Sequence, residues 1–329
     1  KHRPLSSLLP HSKQKTEGLR GRFTSHRQKV HSGVYFFVYM KVIANPAAGR
    51  GRGSRQVAQL RRWLEGRRIE HELLITERAG HATELARRLA ASGTARVIVA
   101  GGDGTISEVA NGLAGTGVEM GIVAIGTGND LARTLNLPYN DVARAAGVAM
   151  AGKVRRIDLG REGGRFFVSS VGLGFASDVV EQSNRPGRLA GSAAFLVAVH
   201  RALRKLRPIR IVLELDGTAR ELDCVSVLVQ NTPYTGGGLR IAPGAKVDDG
   251  LLDVAVIGPI GKLNLVINFP RLYRGAHLNH PQFTLYRARR VRVKTTTPLP
   301  KMLDGEIRGF SPLEAEIVTG AVKVVVDHE

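Results

Sequence analysis

The stretch RVIVAGGDGT, residues 96–105, joins a run of apolar residues to a turn in which glycines surround one aspartate. Residues 96–100 predict a buried strand, and residues 105–113 predict a helix. Adjacent glycines let backbone N–H groups approach phosphate oxygens, and a helix N-terminus adds partial positive charge. We therefore predict a phosphate-binding loop at Gly101, Gly102, Asp103, Gly104 and Thr105, with Asp103 holding a cation or a ribose hydroxyl. The spacing of Thr105 and Glu108 also allows a simple helix capping box.

The same alternation of strand and helix extends on both sides of this stretch. Strands are predicted over residues 41–44, 71–75 and 121–125. Helices are predicted over residues 54–64 and 81–91, and another begins near Asn129. Strands that alternate with helices are typical of an α/β fold with a parallel, doubly wound, Rossmann-like sheet.

The pattern changes after residue 154 to short β-type runs separated by glycine and aspartate turns. These runs cover residues 166–171, 209–215, 224–230, 252–257 and 322–326, and they predict a mostly antiparallel second domain. One helical island, residues 189–206, interrupts them; its basic end is either a solvated surface or a contact with anionic lipid. We expect a leader at 1–39, a nucleotide-binding domain at 40–154 and a β-rich lipid-binding and catalytic domain at 155–329.

Two further glycine-rich turns follow predicted strands. Gly126-Thr127-Gly128-Asn129-Asp130 suits a nucleotide contact, although Asn129 could be only an N-cap and Asp130 only a first-turn acid. The turn at residues 45–53 begins with Asn45 and lacks both the dinucleotide fingerprint and the Walker A string. It either supplies Arg50 or Arg52 to a phosphate or is a plain surface turn.

The amino-acid composition limits the classes of binding partner. The 329 residues carry 48 Lys and Arg against 28 Asp and Glu, a formal charge of +20, which indicates an anionic partner such as nucleotide phosphates or an acidic membrane surface. Nucleic acid is not expected, because aromatic residues make up only 5% and no RNA-recognition or zinc-finger spacing occurs. The single cysteine excludes a disulfide framework and favours the cytoplasm.

No apolar run reaches the roughly 18 to 20 residues that a membrane-spanning helix needs. The protein is therefore expected to be soluble or peripheral to the membrane. The basic residues 1–39 show no sustained periodicity and no signal-peptide pattern, so we expect a disordered leader, with Met40 as a candidate start.

The ordered motifs together resemble those of the diacylglycerol kinase catalytic family, which includes sphingosine and ceramide kinases and bacterial soluble lipid kinases. The resemblance covers about residues 40–327. It rests on Asn45-Pro46 with Gly49, Gly101 to Thr105 with Glu108, Gly126 to Asp130, Arg156-Ile157-Asp158, Val247-Asp248-Asp249-Gly250-Leu251-Leu252-Asp253 and Leu303-Asp304-Gly305-Glu306.

This resemblance implies an ATP-dependent, Mg²⁺-requiring lipid kinase with an NAD-kinase-like first domain and a β-sandwich second domain. It implies Glu306 as the general base and Asp158 as the aspartate linked through water to the catalytic Mg²⁺. A second, structural Mg²⁺ would bind Asp249 and the backbone carbonyls of Lys246 and Leu251. The implied nucleotide-binding residues are Asn45, Arg50, Thr76, Gly101, Gly102, Asp103, Gly104, Thr105, Glu108, Thr127, Asn129 and Asp130.

The acceptor is expected to be a lipid with a free hydroxyl: diacylglycerol, a monoacylglycerol, phosphatidylglycerol or a sphingoid base. It would enter between the two domains, near Phe175, Leu189, Phe195 or Leu196. We expect a cytoplasmic protein that associates peripherally with an anionic membrane surface. The sequence leaves the oligomeric state open, and a homodimer is one alternative. The alternatives are an NAD kinase-like enzyme, which would use the same glycine-aspartate loop, and a basic nucleic-acid-binding protein.

Overall fold

The structure, a computed structural model, describes residues 39–49, 51–185 and 191–328. The predicted leader (apart from Tyr39), Arg50 and Leu189 lie outside these residues. In the described part of the chain, no helix combines the length and the hydrophobicity required to cross a bilayer.

The first half alternates strands and helices, as predicted. Four parallel strands stand in the order β2-β1-β3-β4. The elements are β1 (Met40–Ala44), α1 (Gly53–Gly66), β2 (His71–Ile75), α2 (His81–Ala91), β3 (Arg96–Gly101), α3 (Asp103–Leu113), β4 (Glu119–Ala124), α4 (Asp130–Thr134) and α5 (Val142–Ala151).

Helices cover both faces of this parallel sheet. On one face, α1 and α5 bury Leu60, Leu64 and Ala146 against Val42 and Ile98 of the strands. On the other face, α2 and α3 pack on the strand residues that point the opposite way, such as Ile43 and Val99. Because both faces are buried, β1, β3 and β4 read as nearly continuous apolar runs, and the doubly wound prediction is confirmed.

The second half is dominated by antiparallel strands. It comprises β5 (Lys153–Glu162), β6 (Arg165–Phe167), β7 (Ser170–Gly174), α6 (Phe175–Ser183), α7 (Gly191–Lys205), β8 (Ile209–Leu215), β9 (Thr218–Cys224), β10 (Ser226–Gln230), β11 (Leu252–Ile257), α8 (Lys262–Arg274), a 3-10 turn (Ala276–Asn279), β12 (Phe283–Ala288), β13 (Arg290–Thr295), β14 (Pro300–Leu303), β15 (Glu306–Phe310) and β16 (Leu313–Val326).

Two sheets form the predicted sandwich. One has the order β12-β11-β10-β7-β14-β15, and its inner face packs on β8, β13 and the first part of β16. Phe167, Val229 and Val254 meet Leu213 and Val293 in this core. The second half therefore has a core of its own.

The prediction of a single helical island in the second half is wrong, because α6, α7 and α8 all lie there. The sequence of α8, KLNLVINFPRLYR, contains β-branched residues and Pro270, which lower helix propensity. Its packing decides the outcome: Leu265, Asn268 and Leu272 recur at helical spacing and are buried.

Strand β16 joins the two halves. Its last part pairs in parallel with β4, through Lys323 and Val324, and antiparallel with β5. Its first part pairs with β13 of the sandwich. The backbone hydrogen bonds of one strand thus hold both halves together, and the described residues from Tyr39 onward form one compact unit.

Candidate active site

Three glycine-rich turns meet at the carboxyl edge of the parallel sheet, where open α/β sheets bind ligands. The turn after β3 and the turn after β4 touch through their backbones: a Cβ built on Gly126 would lie 2.6 Å from the Cα of Gly102. The turn after β1 also reaches the residue that follows β4, because a Cβ on Gly49 would lie 2.6 Å from the carbonyl oxygen of Ile125. Only glycine permits so close an approach.

Polar side chains fix the relative positions of these turns. Asn45 donates from Nδ2 to the Thr105 hydroxyl at 2.9 Å. The carboxylate of Asp103 accepts from the backbone N–H groups of Asn129 (2.8 Å) and Asp130 (2.6 Å). The side chain of Asn129 both accepts from and donates to the backbone of Gly126, so it closes its own turn and does not cap α4.

The carboxylate of Glu108 forms its hydrogen bonds outside the three turns, with the start of α2. Its carboxylate accepts from the N–H groups of Gly80 (2.7 Å) and Ala82 (3.1 Å) at the start of α2, so it caps α2 and forms no capping box with Thr105. Thr76 lies at the end of β2, and its N–H donates to the carbonyl of Ala44 at 2.9 Å. Both residues therefore brace the strands and helices around the turns.

A fourth glycine turn, Gly236-Gly237-Gly238, closes on the first three from the second half of the chain. Asp130 is buried, and its carboxylate accepts from the N–H groups of Gly237 (3.2 Å) and Gly238 (2.9 Å). All three glycines have positive φ, which glycine adopts without strain. The sequence analysis missed this turn, although three consecutive glycines after a buried strand are a visible signal.

Asp304 connects the β14–β15 hairpin to both halves. Asp304 and Gly305 form its two-residue turn, with φ of 44° and 83°. The Asp304 carboxylate accepts from the Ser107 hydroxyl of α3 at 2.7 Å. It also accepts from three consecutive N–H groups where β6 gives way to β7: Val168, Ser169 and Ser170. The predicted strand at 166–171 is interrupted there because its backbone wraps this carboxylate.

A cleft of about 480 Å³ opens between these elements. One wall is polar and carries Asp103, Asp130 and Asp304. A second wall comes from α7 and α8 and is apolar. The lining residues are Asp103, Thr127, Gly128, Asp130, Ser169, Phe195, Leu196, Thr235, Gly236, Gly237, Tyr273, Asp304 and Gly305. A larger groove, of about 900 Å³ on the outer side of the sandwich, contains none of the predicted site residues.

The carboxyls in the cleft affect one another. Burial, together with the charge of Asp103, raises the pKa of Asp130 to about 7. Burial also raises the pKa of Asp103, with a contribution from the charge of Asp304, and raises the pKa of Asp304. Acids that share a poorly solvated site disfavour one another's charged forms, and a bound cation would relieve that cost.

The chemistry of these side chains fits magnesium. Carboxylate oxygens are the hard ligands that Mg²⁺ prefers, and Mg²⁺ commonly combines one or two of them with substrate phosphates. Across residues 39–49, 51–185 and 191–328, no three His, Cys, Asp or Glu side chains form a ready-made metal cage. Asp103, with Asp130 or Asp304, would therefore hold the ion together with the nucleotide.

Glu306 and Asp158 lie outside the cleft lining. Glu306 begins β15 directly after Gly305; its side chain is 48% exposed and forms an ion pair with Arg308. Asp158 is buried, and its two carboxylate oxygens accept from the N–H groups of Gly250 (2.8 Å) and Gly320 (2.7 Å). These contacts give Asp158 a structural role, and its link to magnesium stays a prediction.

A positively charged side chain, that of Arg287, lies beside the predicted second metal site. Asp249 accepts from the N–H of Leu251 at 3.1 Å, and its other oxygen lies 3.9 Å from the guanidinium of Arg287. Arg287 also pairs with the buried Asp253 at 3.1 Å. A magnesium ion held by Asp249, Lys246 and Leu251 would have to compete with this guanidinium, and that site also stays a prediction.

Comparison with known proteins agrees with this architecture. Residues 39–161 match the family model described as diacylglycerol kinase catalytic domain. Residues 169–326 match the model described as YegS C-terminal NAD kinase beta sandwich-like domain. A crystal structure of a diacylglycerol kinase from Bacillus anthracis strain Sterne superposes with a TM-score of 0.68 at 25% identity, over 88% of this chain and 97% of that one.

Curated relatives match over nearly their full length. The diacylglycerol kinase of Bacillus subtilis strain 168 is 30% identical over 292 residues, which cover 88% of this chain and 96% of the relative. The diacylglycerol kinase of Mycobacterium tuberculosis strain H37Rv is 32% identical over 289 residues, covering 86% and 93%. These relatives match almost the whole of the chain that carries the glycine turns, the sandwich and the cleft. The chain therefore belongs to the diacylglycerol kinase catalytic-domain family and is a kinase of that family.

Proposed function

We propose that the chain transfers the γ-phosphate of ATP to a hydroxyl of diacylglycerol or a related lipid. One observation carries the proposal: a single cleft has glycine turns and acids on one wall and Phe195, Leu196 and Tyr273 on the other. The polar wall suits a triphosphate, and the apolar wall suits the hydrocarbon part of a lipid. A lipid hydroxyl and a terminal phosphate could therefore meet between the two walls.

The glycine turns would hold the triphosphate through backbone N–H groups, and the N-terminus of α3 adds partial positive charge. Magnesium, when bound, neutralises charge on the β- and γ-phosphates. Asp103 has a double role in this scheme. Its carboxylate pins the turn after β4 through two N–H groups and also faces the cleft. Losing it would disturb both the shape and the charge of the nucleotide site.

Glu306 is the proposed general base. The lipid oxygen attacks the γ-phosphorus, the bond from that phosphorus to the bridging oxygen breaks, ADP leaves, and Glu306 takes the hydroxyl proton. Its carboxylate is exposed and stands one residue beyond Gly305, which lines the cleft. To reach the hydroxyl it must leave Arg308, a small cost because exposed ion pairs contribute only about 0–1 kcal/mol.

A kinase assay on a lipid panel tests this proposal. Radiolabelled ATP and Mg²⁺ are supplied with diacylglycerol, monoacylglycerol, phosphatidylglycerol, a sphingoid base and, for the NAD kinase alternative, NAD. We expect a labelled lipid from the wild type and a loss of at least 100-fold in kcat for Glu306→Gln, within the usual range of general base catalysis. Asp103→Asn is expected to raise the KM for ATP as well.

The control is Glu316→Gln, which changes a half-buried acid of β16 that pairs with Arg161 on the outer side of the sandwich. It should leave kcat within twofold of the wild type. Full activity of Glu306→Gln would exclude the proposed base. Labelled NADP without labelled lipid would replace the lipid kinase assignment with the NAD kinase one.

A further inference from the structure

Exposed apolar side chains concentrate on one part of the surface. The described residues include ten large hydrophobic side chains that are exposed, and six of them lie in α7, in α8 and in the 3-10 turn after α8. Soluble proteins scatter such residues singly, and a continuous patch marks an interaction site. The six are Leu196 (60% exposed), Leu263 (74%), Val266 (47%), Ile267 (63%), Tyr273 (49%) and Leu278 (37%).

Helix α8 is apolar on two opposite sides. Leu265 and Leu272 pack inward on the core beneath the helix. Leu263, Val266 and Ile267 recur at spacings of three and four on the outside, where a surface helix normally carries polar residues. Burial against the protein explains the inner side only. The outer side therefore needs a second apolar environment.

The charges around this patch identify its partner. Neither α7 nor α8 contains an acidic residue. Exposed cations flank the apolar side chains: Lys262, Arg271 and Arg274 on α8, and Arg201 and Arg204 on α7. Apolar residues with cations beside them, and no acids, match the boundary between acyl chains and anionic headgroups of a membrane.

The patch continues into the cleft. The ring of Phe269 on α8 lies 6.1 Å from the ring of Phe195 on α7 and 6.3 Å from that of Tyr273. Phe195, Leu196 and Tyr273 also form the apolar wall of the cleft. Leu196 and Tyr273 thus belong to both surfaces. An acyl chain could pass from the patch to the cleft beside these side chains.

We propose that Leu196, Leu263, Val266, Ile267 and Tyr273 form a docking face that inserts into the headgroup region of an anionic bilayer. Lys262, Arg271 and Arg274 then contact lipid phosphates. The face holds the mouth of the cleft against the membrane, so that a lipid enters without crossing water. Docking rests on the surface described above, and only the identification of the entering lipid as substrate rests on the proposed kinase activity.

Vesicle binding tests the docking face directly, without ATP. The full chain is sedimented with vesicles of phosphatidylglycerol and phosphatidylcholine, and the variants are the double change Leu263→Ser with Ile267→Ser and the matched single change Val154→Ser. Val154 is 42% exposed and lies on β5, outside the docking face. We expect the double change to weaken binding at least tenfold and Val154→Ser to change it less than twofold. The basic residues 1–38 are present in every variant, so the difference reports the docking face.

A second pair of measurements separates docking from catalysis. Activity is compared on long-chain diacylglycerol in vesicles and on dihexanoylglycerol, which is dispersed as monomers. The double variant should lose at least tenfold on vesicles and keep its activity on the short-chain lipid, since neither changed residue lines the cleft.

Each other outcome decides one of the two proposals. Wild-type-like vesicle binding by the double variant would overturn the docking face even if the enzyme phosphorylates dihexanoylglycerol. Vesicle binding that depends on Leu263 and Ile267, without phosphorylation of any lipid, would leave docking intact and overturn the proposed substrate. A dimer in solution that the double change dissociates, with no vesicle binding by the wild type, would make this face a contact between two copies and overturn docking.

Discussion

At the scale of single residues, the carboxyl of Asp130 should make stability depend on pH. Burial and the nearby Asp103 raise its pKa from 3.8 to about 7 in the folded chain. Between about pH 4 and pH 7 the folded state therefore keeps a proton that the unfolded state has lost. The contribution of Asp130 to the free energy of unfolding therefore falls as the pH rises from about 4 to 7, and above about pH 7 none of it is left. The loss should be on the order of a few kcal/mol, since one pKa unit corresponds to about 1.4 kcal/mol.

Thermal melting of the nucleotide-free protein between pH 4 and pH 8 measures this effect. The asparagine of Asp130→Asn is uncharged at every pH in this range. The Tm of this variant should therefore rise relative to that of the wild type from pH 4 to pH 7, and the difference should then stay constant. Comparing the two proteins cancels the titration of shared acids that do not interact with Asp130, so the difference reports Asp130 together with its neighbour Asp103. A Tm difference that does not change with pH would show that Asp130 does not titrate in this range.

Gly104 is a residue whose identity the fold does not require. It lies in the first turn of α3, and a Cβ built on it would meet no other atom within 4 Å. Alanine should therefore raise stability by up to about 1 kcal/mol, because glycine is the poorer helix former. If Gly104 leaves space for the nucleotide phosphates, the same change should raise the KM for ATP at least tenfold.

Chemical denaturation and steady-state kinetics on Gly104→Ala measure both effects. Gly147→Ala is the matched control: it lies within α5, away from the cleft, and its Cβ would also meet nothing within 4 Å. Both variants should gain stability, and only Gly104→Ala should bind ATP more weakly. An unchanged KM for ATP in Gly104→Ala would remove Gly104 from the phosphate loop.

At the scale of elements, the turns after β3 and β4 should depend on the absence of a side chain at Gly126. A Cβ there would lie 2.6 Å from the Cα of Gly102 and 2.8 Å from Oδ1 of Asn129. We expect Gly126→Ala to cost about 1–3 kcal/mol, as overpacking does, and to weaken ATP binding, because both turns must move apart. Urea unfolding with and without ATP measures the two losses. Wild-type values for both would show that the turns do not need this contact.

The sequence was sufficient for the elements whose signals are local. Residues 96–105 carry an apolar run, a glycine turn and a helix start side by side, and the structure has β3, the turn and α3 there. Helix α8 was missed because Pro270 and its β-branched residues disfavour a helix locally, whereas its buried side depends on the sandwich beneath it. Burial against a distant element is not visible in a short window of sequence.

In the candidate active site too, local features were predicted from the sequence and long-range contacts were not. Glycine turns at strand ends were predicted, but the role of Asp304 was not, because its partners Ser107 and Val168 to Ser170 lie 134–197 residues away in the chain. Motif resemblance put the emphasis on Glu306, two residues later. Glu108 was assigned to the nucleotide, and only the fold reveals that its carboxylate meets the start of α2. Long-range hydrogen bonds have no fixed spacing from which to predict them.

At the scale of the whole molecule, Asp304 and β16 oppose independent motion of the two halves. The Asp304 carboxylate ties α3 to the β6–β7 connection, and β16 contributes backbone hydrogen bonds to β4, β5 and β13. Neither link can break without exposing buried polar groups, which is costly. The sequence-based boundary at residue 154 thus separates two patterns of secondary structure, and it remains to be tested as a boundary between units that unfold separately.

Calorimetry of the full chain makes that test. Because β16 belongs to both halves, we expect a single heat-absorption peak whose calorimetric and van't Hoff enthalpies agree. Val324→Ala removes buried methyl groups from the part of β16 that pairs with Met120 of β4 and Arg155 of β5. The usual cost of such a cavity is about 0.5–3 kcal/mol, and it should move the whole peak to lower temperature. If the first half melted separately, Val324→Ala would shift one of two peaks and leave the other in place. That result would restore residues 40–154 as an independent folding unit and would make the cleft an interface between two mobile domains.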